Sequence, residues 1–106
     1  MKESELEKQC IQLLMIYPTI AWRKVKASGQ KHSFGGKSFM KKSTLTNMGD
    51  LLLCIRGKYI EIELKTEIGR QSPGQKEHQK NIENAGGLYY LIRNFDVFKS
   101  IIESHL

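Results

Sequence analysis

Asp50 and, thirteen positions later, the triplet Glu63-Leu64-Lys65 offer two carboxylates and an ammonium at one end of a hairpin. The run Tyr59-Ile60-Glu61-Ile62-Glu63-Leu64-Lys65 alternates, so Ile60, Ile62 and Leu64 face one way and Glu61, Glu63 and Lys65 the other. Asp50 opens a second apolar run, Leu51-Leu52-Leu53-Cys54-Ile55, and Arg56-Gly57-Lys58 joins the two runs as a tight turn. Carboxylate oxygens suit a hard divalent cation, and a lysine beside them holds a water or neutralises developing charge. The grouping reads as a metal-dependent phosphodiester-cleaving centre. The alternative is a solvated Glu63–Lys65 pair on an exposed hairpin face, contributing roughly a few tenths of a kcal/mol. The two readings differ in register: Asp50 shares a face with Glu63 only if paired residues of the two strands sum to an odd number.

The elements that must carry these residues are legible in outline. Ser4-Glu5-Leu6-Glu7 reads as a capping box, with Ser4 at N-cap and Glu7 at N3. The helix it opens runs towards Tyr17 with Leu6, Cys10, Leu13, Leu14 and Tyr17 as its apolar stripe, and Pro18 ends it. Thr19 to Val25 reads as a strand, and Ser28 to Asn47, rich in Gly, Ser, Thr and Lys, as a long basic loop. A second helix starts at Ser72-Pro73-Gly74-Gln75, with Ser72 at N-cap, Pro73 at N1 and Gln75 at N3, and ends near Gly86-Gly87. Leu88 to Arg93 is a short buried strand, and Phe95, Phe98, Ile101 and Ile102 give the last segment a helical period. The order α-β-β-β-α-β-α predicts an α/β fold, a small mixed sheet flanked by helices.

Composition sets bounds on function. A chain of 106 residues, 40% apolar and 26% charged, is expected to form one globular domain spanning 1–106. The start Met1-Lys2-Glu3-Ser4-Glu5 has no apolar signal core, and no run is long enough to span a membrane, so a cytoplasmic chain is expected. Cys10 and Cys54, without CxxC spacing, read as reduced core residues, and three histidines without paired spacing argue against zinc. Net charge is +6, and between Glu7 and Asp50 the chain carries Lys8, Arg23, Lys24, Lys26, Lys31, Lys37, Lys41 and Lys42 with no acid. Such a one-sign segment, with Phe34 and Phe39 interleaved, is an electrostatic footprint for nucleic acid. Arg70 adds a further base after the hairpin. A solubilising loop is the competing account of the lysines from Lys31 to Lys42.

Taken in order, Glu3-Ser4-Glu5-Leu6, Ala21-Trp22-Arg23, Glu63-Leu64-Lys65, Ser72-Pro73-Gly74-Gln75 and Ala85-Gly86-Gly87 resemble the VRR-NUC branch of the PD-(D/E)XK nucleases, in particular its small stand-alone phage-type members. The resemblance runs from Glu5 to about Ile102. It departs just before Asp50, where relatives commonly carry Gly three residues ahead and often Pro directly ahead; here those residues are Asn47 and Gly49. The resemblance implies a restriction-endonuclease-like core and an endonuclease cutting DNA, branched or Holliday-junction DNA included, as a homodimer. It implies that Asp50, Glu63 and the backbone carbonyl of Leu64 bind one or two Mg²⁺ or Mn²⁺ ions, and that Lys65 orients the attacking water. It also implies that Glu5 completes the outer coordination and that Gln75 reaches the site from the second helix. Each of the last two has a plainer account, Glu5 as a favourable charge at N1 and Gln75 as a cap. Glu61 reads as a solvated neighbour, His78 as a surface residue, and Trp22 and Tyr89 as core. A non-catalytic basic nucleic-acid-binding module is the other reading, although a pure binder has no use for clustered acids facing a polyanion.

Overall fold

A computed structural model describes residues 2–25, 30–34, 37–41 and 47–106, with the backbone course alone for 30–34 and 37–41. Its elements are α1 (Glu3–Leu14), β1 (Ala21–Lys24), β2 (Gln30–Phe34), β3 (Lys37–Lys41), β4 (Leu51–Ile55), β5 (Lys58–Leu64), α2 (Pro73–Asn84), β6 (Leu88–Ile92) and α3 (Phe95–His105). The strands form a four-stranded sheet in the order β1-β4-β5-β6 and a separate two-stranded pair, β2-β3. β4 runs antiparallel to both β1 and β5, whereas β6 returns through α2 to lie parallel to β5. The predicted mixed α/β sheet and element order stand.

The basic-loop expectation is corrected. The segment read as a basic loop contains the β2–β3 hairpin, closed by the pair Phe34↔Lys37. The sequence signal is Gly35-Gly36 between Lys31-His32-Ser33-Phe34 and Lys37-Ser38-Phe39-Met40, since two runs separated by two glycines favour a hairpin turn. Lys26 and Lys42 lie outside the described residues.

The central hairpin is built as its sequence predicts. Arg56 and Gly57 both take positive φ, 52° and 81°, which is the two-residue turn whose twist matches the flanking strands. That turn sets the register Ile55↔Lys58 to Leu51↔Ile62, whose pairs sum to an odd number as far as Leu51.

One sheet face carries Leu51, Leu53, Ile55, Ile60, Ile62, Leu64 and Ile92, which α1 covers with Leu6, Cys10, Leu13 and Leu14 and α3 with Phe98 and Ile102. Each such side chain contributes roughly 1.5–3 kcal/mol on burial. This layer makes β4 and β5 a rigid support for whatever the opposite face holds. Cys10 belongs to the layer, where burial pushes its thiol up to about 12. Cys54, expected in the core, is exposed instead because it alternates onto the opposite face beyond the cover of α2.

Helix α1 starts earlier than its capping box predicts. Lys2 occupies the N-cap without a side-chain bond, so Ser4 lies inside the first turn. Glu7 turns to Lys24 on β1 at 2.8 Å rather than back to Ser4. An ammonium on the neighbouring strand is the stronger partner for that carboxylate.

Candidate active site

At the end of β4 two consecutive residues face one on β5. Leu51 pairs with Ile62, and the Asp50 N–H also donates to the Ile62 carbonyl at 2.7 Å, the offset of a β-bulge. The Asp50 carbonyl meanwhile accepts from Val25 N–H at 2.9 Å. Held on both sides, Asp50 turns its side chain along β5, where Oδ2 accepts the Leu64 N–H at 2.7 Å. In a strand the N–H and C=O of one residue face the same edge, so the Leu64 carbonyl lies on the edge Asp50 occupies.

The approach to this bulge explains the departure from the VRR-NUC pattern. Asn47 has φ 74°, the left-handed conformation that Asn tolerates better than most side chains, so it takes the backbone role a glycine would fill. At Gly49 a Cβ would stand 2.8 Å from the Ile62 carbonyl, so the chain passes too close for a side chain. The Gly49 N–H donates to Glu61 Oε2 at 3.0 Å, a bond proline lacks.

Glu63 is 2% exposed and shares the sheet face of Glu61, two residues earlier on β5. Its Oε1 accepts from Gln75 Nε2 at 2.6 Å and has Lys65 Nζ at 3.6 Å. Burial, then the charge of Asp50, push the Glu63 carboxyl up to about 7, while Lys65 pulls the other way. Asp50 is raised as well, by burial first, against the Leu64 N–H; the charges of Glu3 and Glu7 add to the rise and Lys65 opposes it. Two carboxylates whose charged forms are disfavoured beside one ammonium make a site short of positive charge.

Gln75 bonds both to its own helix cap and to Glu63. Ser72 and Gln75 form the reciprocal capping box at the start of α2, the Gln75 Oε1 accepting from Ser72 N–H at 2.9 Å. The other end of the same amide donates to Glu63. The cap therefore fixes the rotamer that delivers the donor.

Lys65 continues β5 by donating its N–H to the Ile92 carbonyl at 3.0 Å. The loop after it is held by Arg93, whose Nη1 donates to the carbonyls of Thr66 at 2.6 Å, Glu67 at 3.3 Å and Gly69 at 2.7 Å. Lys65 and Glu3 border a cleft of about 370 Å³ between α1, this loop and the start of α3. Arg93 is a site-supporting residue that sequence reading missed, because nothing local links it to a loop 24 to 27 residues earlier.

Three expectations are revised. Glu61, read as solvated, is fully buried and accepts from Tyr59 Oη at 2.5 Å, Gly49 N–H at 3.0 Å and His78 Nε2 at 2.8 Å. His78, read as surface, lies against Glu61 with 22% of its side chain exposed and meets Tyr89 edge-on at 6.3 Å. Both revisions have one cause: α2 lies across this sheet face and brings Gln75 and His78, one turn apart, over Glu63 and Glu61. The third concerns α1. Glu5 is exposed, and it is Glu3 and Glu7, four residues apart on one helix face, whose charges reach Asp50. Tyr89 is buried as expected, but on the acid face, paired with Glu61.

Of the basic candidates, Arg23 lies exposed on β1 opposite Leu52, hence on the acid face, and Arg70 lies exposed in the loop after β5. Lys24 is engaged by Glu7. For Lys31, Lys37 and Lys41 the backbone alone is described, within β2 and β3.

Among the described residues no three His, Cys, Asp or Glu side chains gather closely enough to hold a metal ion by themselves. Two carboxylates and a carbonyl remain, all oxygen donors. That set fits Mg²⁺, which keeps several waters and takes only one or two protein carboxylates beside substrate phosphate.

Comparison with known proteins agrees with this geometry at the level of fold. No family model matches the sequence, and no curated protein matches it. A solved structure described as a VRR_NUC domain superposes with a TM-score of 0.68, covering 98% of this chain and 97% of that one, at 20% identity. The chain therefore shares the VRR-NUC fold along nearly its whole length. No helix among the described residues is long and apolar enough to cross a membrane.

Proposed function

We propose that this chain is a divalent-metal-dependent nuclease domain that hydrolyses phosphodiester bonds in DNA as an endonuclease. The observation that carries the reading is the meeting of Asp50, Glu63 and Lys65 at the bulged end of one hairpin, on a shared VRR-NUC fold. Asp50, Glu63 and the Leu64 carbonyl would hold Mg²⁺ or Mn²⁺. When bound, the cation supplies the charge that activates water and polarises the phosphate.

The chain's own groups do the rest. Gln75, fixed by its cap, orients Glu63 so that one carboxylate oxygen stays free of the amide. Lys65, anchored through its backbone to β6 and by the loop that Arg93 clamps, presents an ammonium to the attacking water and to charge growing on phosphate. Glu3, which borders the cleft with Lys65, would supply the outer acid from α1, since Glu7 pairs with Lys24. Arg23 and Arg70, with the lysines of the β2–β3 segment, meet flanking phosphates and add a sequence-independent, salt-sensitive attraction. One such site cuts one strand, so a two-fold pair of chains is the arrangement that would resolve branched or Holliday-junction DNA.

The test is direct. Linear, flap and four-way-junction DNA are incubated with the purified chain in Mg²⁺, Mn²⁺ or EDTA. Cleavage with either metal and none in EDTA is expected, with branched substrates cut faster. Binding without cleavage of any substrate would replace the nuclease with a binding module.

A further inference from the structure

We infer that Glu61 is a positioning residue that sets the distance between Asp50 and Glu63 without touching metal or substrate. The inference rests on the nuclease reading above and extends it to a residue outside the resemblance. Glu61 is fully buried, and each of its polar contacts comes from a different part of the site. The Gly49 N–H belongs to the residue immediately before Asp50, at 3.0 Å. His78 Nε2, at 2.8 Å, belongs to α2, one turn beyond the Gln75 that holds Glu63. Tyr59 Oη, at 2.5 Å, comes from the same strand and braces the second carboxylate oxygen.

An ionised carboxylate accepts and never donates. Gly49 N–H is a donor by nature, and burial, reinforced by the bond to Glu61, pushes the Tyr59 hydroxyl up so that it keeps its proton. His78 therefore presents its Nε2–H to Glu61 and leaves Nδ1 on the other side of the ring. Three donors occupy three of the roughly four lone-pair sites of the carboxylate, two on Oε2 and one on Oε1, and each ties it to a different piece of the protein. What they accomplish is mechanical: the segment entering Asp50 and the helix carrying Gln75 are tied to one buried point two residues from Glu63. A buried carboxylate costs far more than an apolar side chain there unless it is fully bonded, so packing alone does not call for a charge.

The tie is testable by changing its chemistry at constant size. Glu61→Gln keeps the volume but removes the charge and one acceptor oxygen, so the Tyr59 bond survives only by reversing, with the amide donating to the hydroxyl oxygen. Mn²⁺ affinity is measured by electron paramagnetic resonance on the full chain, cleavage as a function of Mn²⁺ concentration, and folding by circular dichroism and Tm. Glu61→Gln is expected to fold, to bind Mn²⁺ about 10- to 100-fold more weakly, and to need correspondingly more Mn²⁺ for half-maximal cleavage. Tyr59→Phe removes one donor and leaves two, so it serves as the milder variant and should shift the same midpoint less. A merely structural Glu61 would lower the amount of active protein and leave the Mn²⁺ midpoint unchanged. That outcome in either folded variant overturns the inference while the nuclease reading stands. Wild-type protein that neither binds Mn²⁺ nor cuts DNA would overturn the nuclease reading and this inference with it.

Discussion

Glu61 and Glu63 sit two residues apart on β5, both buried and on one face, and differ in what surrounds them. Glu61 receives three donors, from Gly49, Tyr59 and His78. Glu63 receives one amide at 2.6 Å and an ammonium at 3.6 Å, and shares its surroundings with the charge of Asp50. A carboxylate with protein donors on both oxygens and no second acid against it is a structural joint, whereas one left short of positive charge beside a second carboxylate is ready for a cation. Burial alone does not distinguish the two; the second carboxylate beside Glu63 does.

The sharpest way to break this contrast is to remove the charges on the Glu63 side. Asp50→Asn or Lys65→Ala should lower cleavage on the order of 10²-fold or more while DNA binding persists, measured by gel assay and by fluorescence anisotropy. Full activity in either variant would dismiss the centre.

A smaller effect separates the two roles of Gln75. Ser72→Ala removes the cap and should cost about 1 kcal/mol of stability with activity largely kept, since Glu63 retains its donor. Gln75→Ala loses the cap and the donor together, so it should show a similar loss of stability and a further drop in cleavage of about tenfold. Equal activity in the two variants, followed by denaturant melts and initial rates, would reduce Gln75 to a cap.

The smallest effect lies in pH. Glu63 has a folded value of about 7 against an ordinary value of 4.5, so between these the native state holds more proton than the unfolded chain. Stability of the metal-free protein should therefore be greatest below about pH 4.5 as far as this group is concerned, fall as pH rises towards about 7, and level off above. Asp50, also raised, adds to the slope in the same direction. Glu63→Gln should flatten the curve in urea melts, and Mg²⁺ should do so in the wild type because the cation favours the ionised form. A slope unchanged by both would mean that Glu63 is not held short of charge.

The local geometry of the site was readable from the chain. Alternation in β5 put Glu61 and Glu63 on one face, the Arg56-Gly57 turn set an odd-sum register, and Ser72-Pro73-Gly74-Gln75 announced its cap. Each depends on dihedral preferences and hydrogen bonds within a few residues, which the residue types themselves dictate. The acid face was taken as solvent because alternation tells which residues share a face and not what covers it. α2 covers it, having crossed back to lay β6 parallel to β5, and that return buries Glu61, engages His78 and leaves Cys54 exposed. The same limit applies to Glu5 and its neighbours on α1. A helix presents acids at every angle, and which of them meet Asp50 depends on how α1 lies across the sheet, a matter of packing between segments some forty residues apart.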